Sequence, residues 1–194
     1  MGSGISFAHM ALPSTLHRFD LRIVHADAGR EHAVVLPVAR HPSETLERLW
    51  LRVLAAGWLW RDGLTFGPGL SEPDAPDLLV PGGDGRLVLL ARVGRPEPTR
   101  VERDVTANRG ARVAVLFESP RRMSAFIEEA EAAGLSRLAG AGLAAAEPEF
   151  VAALATHDGR RVRCALTFVE GHVYAEVDGE ALDAPLAAGS VQPR

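Results

Sequence analysis

Phe19, Leu21 and Ile23 alternate with Arg18, Asp20 and Arg22. A period of two is the pattern of a strand with one face buried. The turn residues Asp27-Ala28-Gly29 follow, then a second strand over 33–39, where Pro37 points to a sheet edge or a bulge. From Pro42 the period changes. Leu46, Leu49, Trp50, Val53, Leu54 and Gly57 recur at helical spacing, Pro42 suits the first helical position, and Glu44 suits the first turn. This predicts a helix over 42–60.

Residues 67–85 are rich in Gly, Pro and Asp, with one apolar patch at 78–80 that predicts a short strand. Residues 87–93 are apolar until Arg92, the pattern of a strand covered on both faces. By parity, Val88, Leu90 and Arg92 share a face. A helix is predicted over 99–108, closed by Gly110, and a buried strand over 111–117. Ser119-Pro120 opens a helix whose apolar face is Met123, Phe126, Ile127 and Ala130, ended by Gly134. A small-residue strand over 138–143, a short helix over 147–155 and a hairpin, 162–169 with 173–177, complete the chain. Residues 184–194 read as a mobile tail. The order predicts an α/β fold: a mixed central sheet flanked by helices, with 87–93 and 111–117 parallel and joined right-handedly.

Length and composition narrow this reading. A chain of 194 residues suits one domain, 11–183, long enough for a hydrophobic core. Residues 1–10 stand apart, because Met10-Ala11-Leu12 reads as a native start and Met1-Gly2-Ser3 as either a cloning scar or a misplaced start. No apolar run is long enough to cross a bilayer and no export signal is visible, so a cytoplasmic protein without membrane association is expected. The single cysteine, Cys164, has no partner for an internal disulfide. A net charge of −4 disfavours a dedicated nucleic-acid binder, whose affinity comes from neutralising phosphates. The chain has no lysine, so no lysine base, Schiff base or phosphate ligand is available.

Several motifs carry a family resemblance. The run 39–45, Ala-Arg-His-Pro-Ser-Glu-Thr, with Glu47-Arg48 and Leu51-Arg52-Val53-Leu54-Ala55, resembles the signature of the bacterial YaeQ family. So do Leu64-Thr65-Phe66-Gly67-Pro68-Gly69-Leu70-Ser71, the acidic stretch 74–78 and the turn Gly94-Arg95-Pro96-Glu97. The resemblance runs from about residue 10 to 180 and is densest before residue 80. It implies a restriction-endonuclease-like, PD-(D/E)XK nuclease-like fold. In such folds two acids on a hairpin hold Mg²⁺, a nearby lysine orients water, and an acid on the preceding helix often joins them. A hard divalent ion takes oxygen ligands, polarises the phosphate and lowers the pKa of its bound water.

Measured against that pattern, Pro76-Asp77 makes Asp77 the candidate first acid; the competing reading is an Asp that only shapes a proline-rich loop. The second acid falls at Arg92, a charge reversal. An arginine cannot ligate a cation and repels one by about 4 kcal/mol at ~4 Å and an effective dielectric of about 20. If the first acid lies inside that strand, its counterpart is Val88 and the ligand is lost as well. No lysine remains; Arg103 on the following helix supplies a fixed charge but no base. Glu44 and Glu47, three apart on the predicted helix, face the former metal site, or else Glu44 favours the helix start and pairs with Arg48. His41 reads as a capping or hinge residue. Cys164 reads as core, and His157-Asp158 as a turn rather than part of a hydrolase triad.

The candidate site is therefore Glu44, Glu47, Asp77, Arg92 and Arg103, with Asp77 and Glu47 the metal ligands if any metal binds. The expected protein is a pseudoenzyme without cofactor, acting by binding an unknown protein partner or, against its charge, nucleic acid. In it Arg92 fills the vacated metal position and pairs with Asp77, Glu44 or Glu47. The alternative is a Mg²⁺- or Mn²⁺-dependent nuclease with rearranged carboxylates, to which Asp84 or Glu97 contributes. Exposure of Trp50, Trp58 or Trp60 together would favour a protein interface.

Overall fold

The computed structural model describes residues 14–72 and 74–192; the odd opening stretch 1–10 lies outside them. The alternating segment forms β1 (Thr15–His25), which pairs antiparallel with β2 (Arg30–Arg40). Helix α1 (Leu46–Trp58) follows, then β3 (Thr65–Phe66), β4 (Leu78–Pro81) and β5 (Leu87–Gly94). Next come α2 (Pro98–Ala107), β6 (Arg112–Phe117), α3 (Pro120–Ala132), β7 (Gly142–Ala146) and α4 (Pro148–Leu154). The chain closes with β8 (Arg161–Val169), β9 (His172–Val177) and β10 (Glu180–Gly189).

All ten strands join one mixed sheet in the order β2-β1-β8-β9-β10-β7-β6-β5-β4-β3. Strands β5, β6 and β7 run parallel, as do β1 and β8, and the remaining pairs are antiparallel. The sheet curls around α1, which touches both β5 and β8. Every residue of α1 from Leu49 to Gly57 is therefore buried, not only one stripe. The main core fills this concave side, and a second core lies outside the sheet, where Val101, Met123 and Phe126 of α2 and α3 cover β5, β6 and β7. No helix among the described residues is long and apolar enough to cross a membrane.

Four expectations need correction. Helix α1 starts at Leu46 rather than Pro42, because His41 and Ser43 close a separate turn and the Thr45 hydroxyl caps the helix by accepting from the Arg48 backbone N–H. Residues 136–140 form a 3₁₀ turn, and the small-residue strand runs later, as β7. The segment from Ala184 is not a tail: β10 continues to Gly189, pairing with β9 and then β7, and Val191 is buried. Its alternation of Ala184 and Leu186 inward was masked by small residues. Val88 leaves the face of Leu90 and Arg92, because the β4–β5 register passes over it in a bulge. Pro37 does lie on an edge strand, β2.

Candidate functional site

The first turn of α1 lies at the carboxyl end of β5, where Glu47 and Arg48 line a cavity with Val93 and Gly94. Asp77 lies just before β4. Its backbone N–H donates to Ala91 O, and its carbonyl accepts from Gly67 N–H. Gly67 is required here: a Cβ would meet the Pro76 carbonyl oxygen at 2.0 Å. This close packing holds the Asp77 carboxylate inward, where Oδ2 accepts from the Val93 N–H at 2.9 Å.

Oδ1 of Asp77 accepts from Arg48 Nη2 at 2.5 Å, and the other arm of the same guanidinium, Nη1, donates to Glu44 Oε1 at 2.7 Å. Glu44 is fully enclosed and also accepts from Arg52 Nη1 at 3.0 Å. Arg52, equally buried, donates further to Ala39 O at 3.1 Å and lies over the Phe66 ring. Burial works against the Arg48 charge, but Asp77 and Glu44 outweigh it, and its pKa is raised. Two carboxylates thus alternate with two guanidinium groups in one buried chain of charge-assisted bonds.

Of the five candidate residues, Glu44 and Asp77 meet, and the arginine between them is Arg48. Arg92 does not pair with Asp77, Glu44 or Glu47. It turns to the other face of β5, where Nε donates to Asp104 Oδ2 at 2.5 Å on α2. Its remaining arms donate to the carbonyls of Ala75 and Asp74. Glu47 does not share a face with Glu44: it is exposed, while Glu44 precedes the helix and turns inward. Arg103 is exposed on α2. The residues not anticipated are Arg48 as the bridge, Arg52 and Asp104. Arg52 had a signal: a charge inside the run 49–57 requires a buried partner.

These residues do not fit a divalent cation. Such an ion needs free carboxylate oxygens, and here an arginine lies between the two acids that are buried among the described residues. Among the described residues no three His, Cys, Asp or Glu side chains gather closely enough to hold a metal. Cys164 is buried, and burial, with Asp178 and Glu176 nearby, pushes its thiol up to about 12. Trp50 and Trp60 are buried and Trp58 is half-buried, so the tryptophans form no exposed cluster.

Beside the network, adjoining cavities open at the carboxyl ends of β5 and β6, the usual place for ligands in α/β sheets. One, of about 380 Å³, is lined by Arg48, Asp77, Arg92, Arg95, Glu97 and Arg100. The next, of about 310 Å³, holds Glu47, Arg48, Arg95 and Glu118, and a third, of about 610 Å³, adds Arg121 and Arg122. Arg95 and Arg122 both reach Glu118.

Comparison with known proteins agrees with this architecture. The family model described as YaeQ protein matches residues 10–185. The YaeQ protein of Salmonella typhi, described as uncharacterized, is 33% identical over 97 residues, 50% of this chain and 54% of that protein. The Escherichia coli (strain K12) protein of the same description is 32% identical over 114 residues, 58% and 61% respectively. The chain thus spans little more than half the length of these relatives. The crystal structure of YaeQ from Xanthomonas axonopodis pv. citri superimposes with a TM-score of 0.83 at 26% identity, covering 92% of this chain and 99% of the other. That from Pseudomonas syringae gives 0.80 at 27% identity, covering 90% and 95%. With the family model matching most of its length, the chain belongs to the YaeQ family.

Proposed function

We propose that the chain carries a PD-(D/E)XK nuclease-like site closed by arginine, and that it acts by binding a partner rather than by catalysis. One observation carries the reading: the Arg48 guanidinium donates to both Glu44 and Asp77, two buried carboxylates. A cation in that place supplies the charge a metal would have supplied, but it has no vacant orbital to polarise a phosphate and no bound water to activate. The absence of lysine removes the usual water-orienting group as well. The cleft around Arg95 and Glu118 remains open for a partner.

A second reading has its own support. Glu44 and Asp77 converge on one guanidinium, and Arg48 is about a quarter exposed. With Arg48 swung aside, both acids would face a common point, as a Mg²⁺- or Mn²⁺-dependent nuclease requires. Calorimetric titration of Mn²⁺ and Mg²⁺ separates the two, on wild type beside Asp77→Ala and Arg48→Ala. The binding-protein reading expects no heat from wild type at millimolar metal. Heat from wild type that disappears in Asp77→Ala would overturn it in favour of the nuclease.

A further inference from the structure

At the opposite end of α1 the chemistry is different. The helix ends at Trp58 between the two limbs of the curled sheet. On one side, the His25 ring bonds the Trp58 carbonyl at 3.1 Å, and His25 is the register partner of Arg30. Arg30 shares the inward parity of β2 with His32, whose ring meets Trp60. On the other side, Arg112 opens β6 and lies over the Trp58 ring, 6.0 Å from its centroid. Arg61 stands three residues beyond the helix. Arg30, Arg61 and Arg112, all exposed, thus lie around the carboxyl end of α1.

Half of the twenty described arginines have no carboxylate within ion-pair distance, and these three are among them. Arg18, Arg22, Arg48, Arg52, Arg92, Arg95 and Arg161 each have a carboxylate within ion-pair distance. Arg30, Arg61 and Arg112 have none among the described residues. Burial lowers the pKa of Arg112, and Arg30 and Arg61 lower it further. One cation at a helix carboxyl end is favourable. Three, unneutralised in a chain of net charge −4, repel one another and leave a strong local positive field.

We propose that this end of α1 is an oxyanion site, in which Arg30, Arg61 and Arg112 take a phosphate group of charge −2 beside the Trp58 ring. Guanidinium groups are suited to this, since each offers paired N–H donors matched to phosphate oxygens. The bound group is either free phosphate or the phosphate of a monoester whose remainder lies on Trp58. The site is at the far end of α1 from Arg48 and does not depend on the reading of the carboxylates.

Calorimetry on the full chain tests it, with inorganic phosphate and phenyl phosphate titrated to about 10 mM, a range that detects millimolar dissociation constants. Binding is expected in wild type, weakened about ten-fold or more in Arg112→Gln and in Arg30→Gln through loss of a charge-assisted contact. Arg18→Gln, near the opposite end of β1 from His25, should bind as wild type. Equal affinity for both probes would identify a free anion as the ligand; tighter phenyl phosphate would identify an ester. Without ligand, Arg112→Gln should melt no lower than wild type, because repulsion is relieved. Absence of heat with both probes, or Arg112→Gln and Arg30→Gln that bind as tightly as wild type, would overturn the proposal.

Discussion

Arg48 donates to Asp77 across 2.5 Å, tying the first turn of α1 to the residue that precedes β4. With Arg48→Met the stem is kept and the charge removed. Glu44 still has Arg52, but Asp77 is left with only the Val93 N–H. The variant should lose about 3 kcal/mol in urea unfolding, the usual cost of stranding a buried charge. Adding Asp77→Asn should recover part of the loss, because the stranded charge is then gone. Equal stability of Arg48→Met and wild type would show that the bridge contributes little.

Arg92 secures a loop. Its guanidinium holds the carbonyls of Asp74 and Ala75 while bonded to Asp104. In Arg92→Leu, amide hydrogen exchange should rise around Ala75 and Asp77 and remain unchanged in the middle of α1. Uniform acceleration across both regions would instead indicate global destabilisation.

Gly67→Ala should cost at least about 1–3 kcal/mol, because the added methyl would overlap a backbone carbonyl that cannot rotate away. Gly83→Ala is the control: a Cβ there meets nothing within 4 Å. Chemical denaturation of the two variants side by side gives the comparison, and equal stabilities would contradict the packing described at Pro76.

His25 makes stability pH-dependent. Burial against Phe168 lowers its pKa from 6.5, only partly offset by the Trp58 carbonyl, and Arg30 lowers it further. The unfolded chain therefore takes up the proton first as pH falls. Stability from this group is intact above the unfolded pKa and is lost as pH drops below about 6.5 through the folded value. Melting temperature should fall from pH 7.5 to 5.5 more in wild type than in His25→Asn. An identical fall in both would assign the effect to other groups.

Local elements were legible because their causes are local. Phe19, Leu21 and Ile23 specify a strand by period, and Ser119-Pro120 marks a helix start by its capping chemistry. The family motif at 39–45 and the pair Pro76-Asp77 named two carboxylates, Glu44 and Asp77, that do come together in the fold. What the sequence could not decide was which charges meet. Arg92 and Arg48 are both arginines beside acids in sequence patterns that resemble a metal site. Strand parity sends Arg92 to the α2 side of the sheet, while the start of α1 at Leu46 aims Arg48 between Glu44 and Asp77. Those outcomes depend on strand order and helix entry, which follow from burial of the whole apolar surface and not from any short segment. The tertiary structure alone also joined Arg30, Arg61 and Arg112, which are separated by up to 82 residues, as 112 − 30 gives. Coulomb interactions act through space, so a pattern read along the chain carries no record of them.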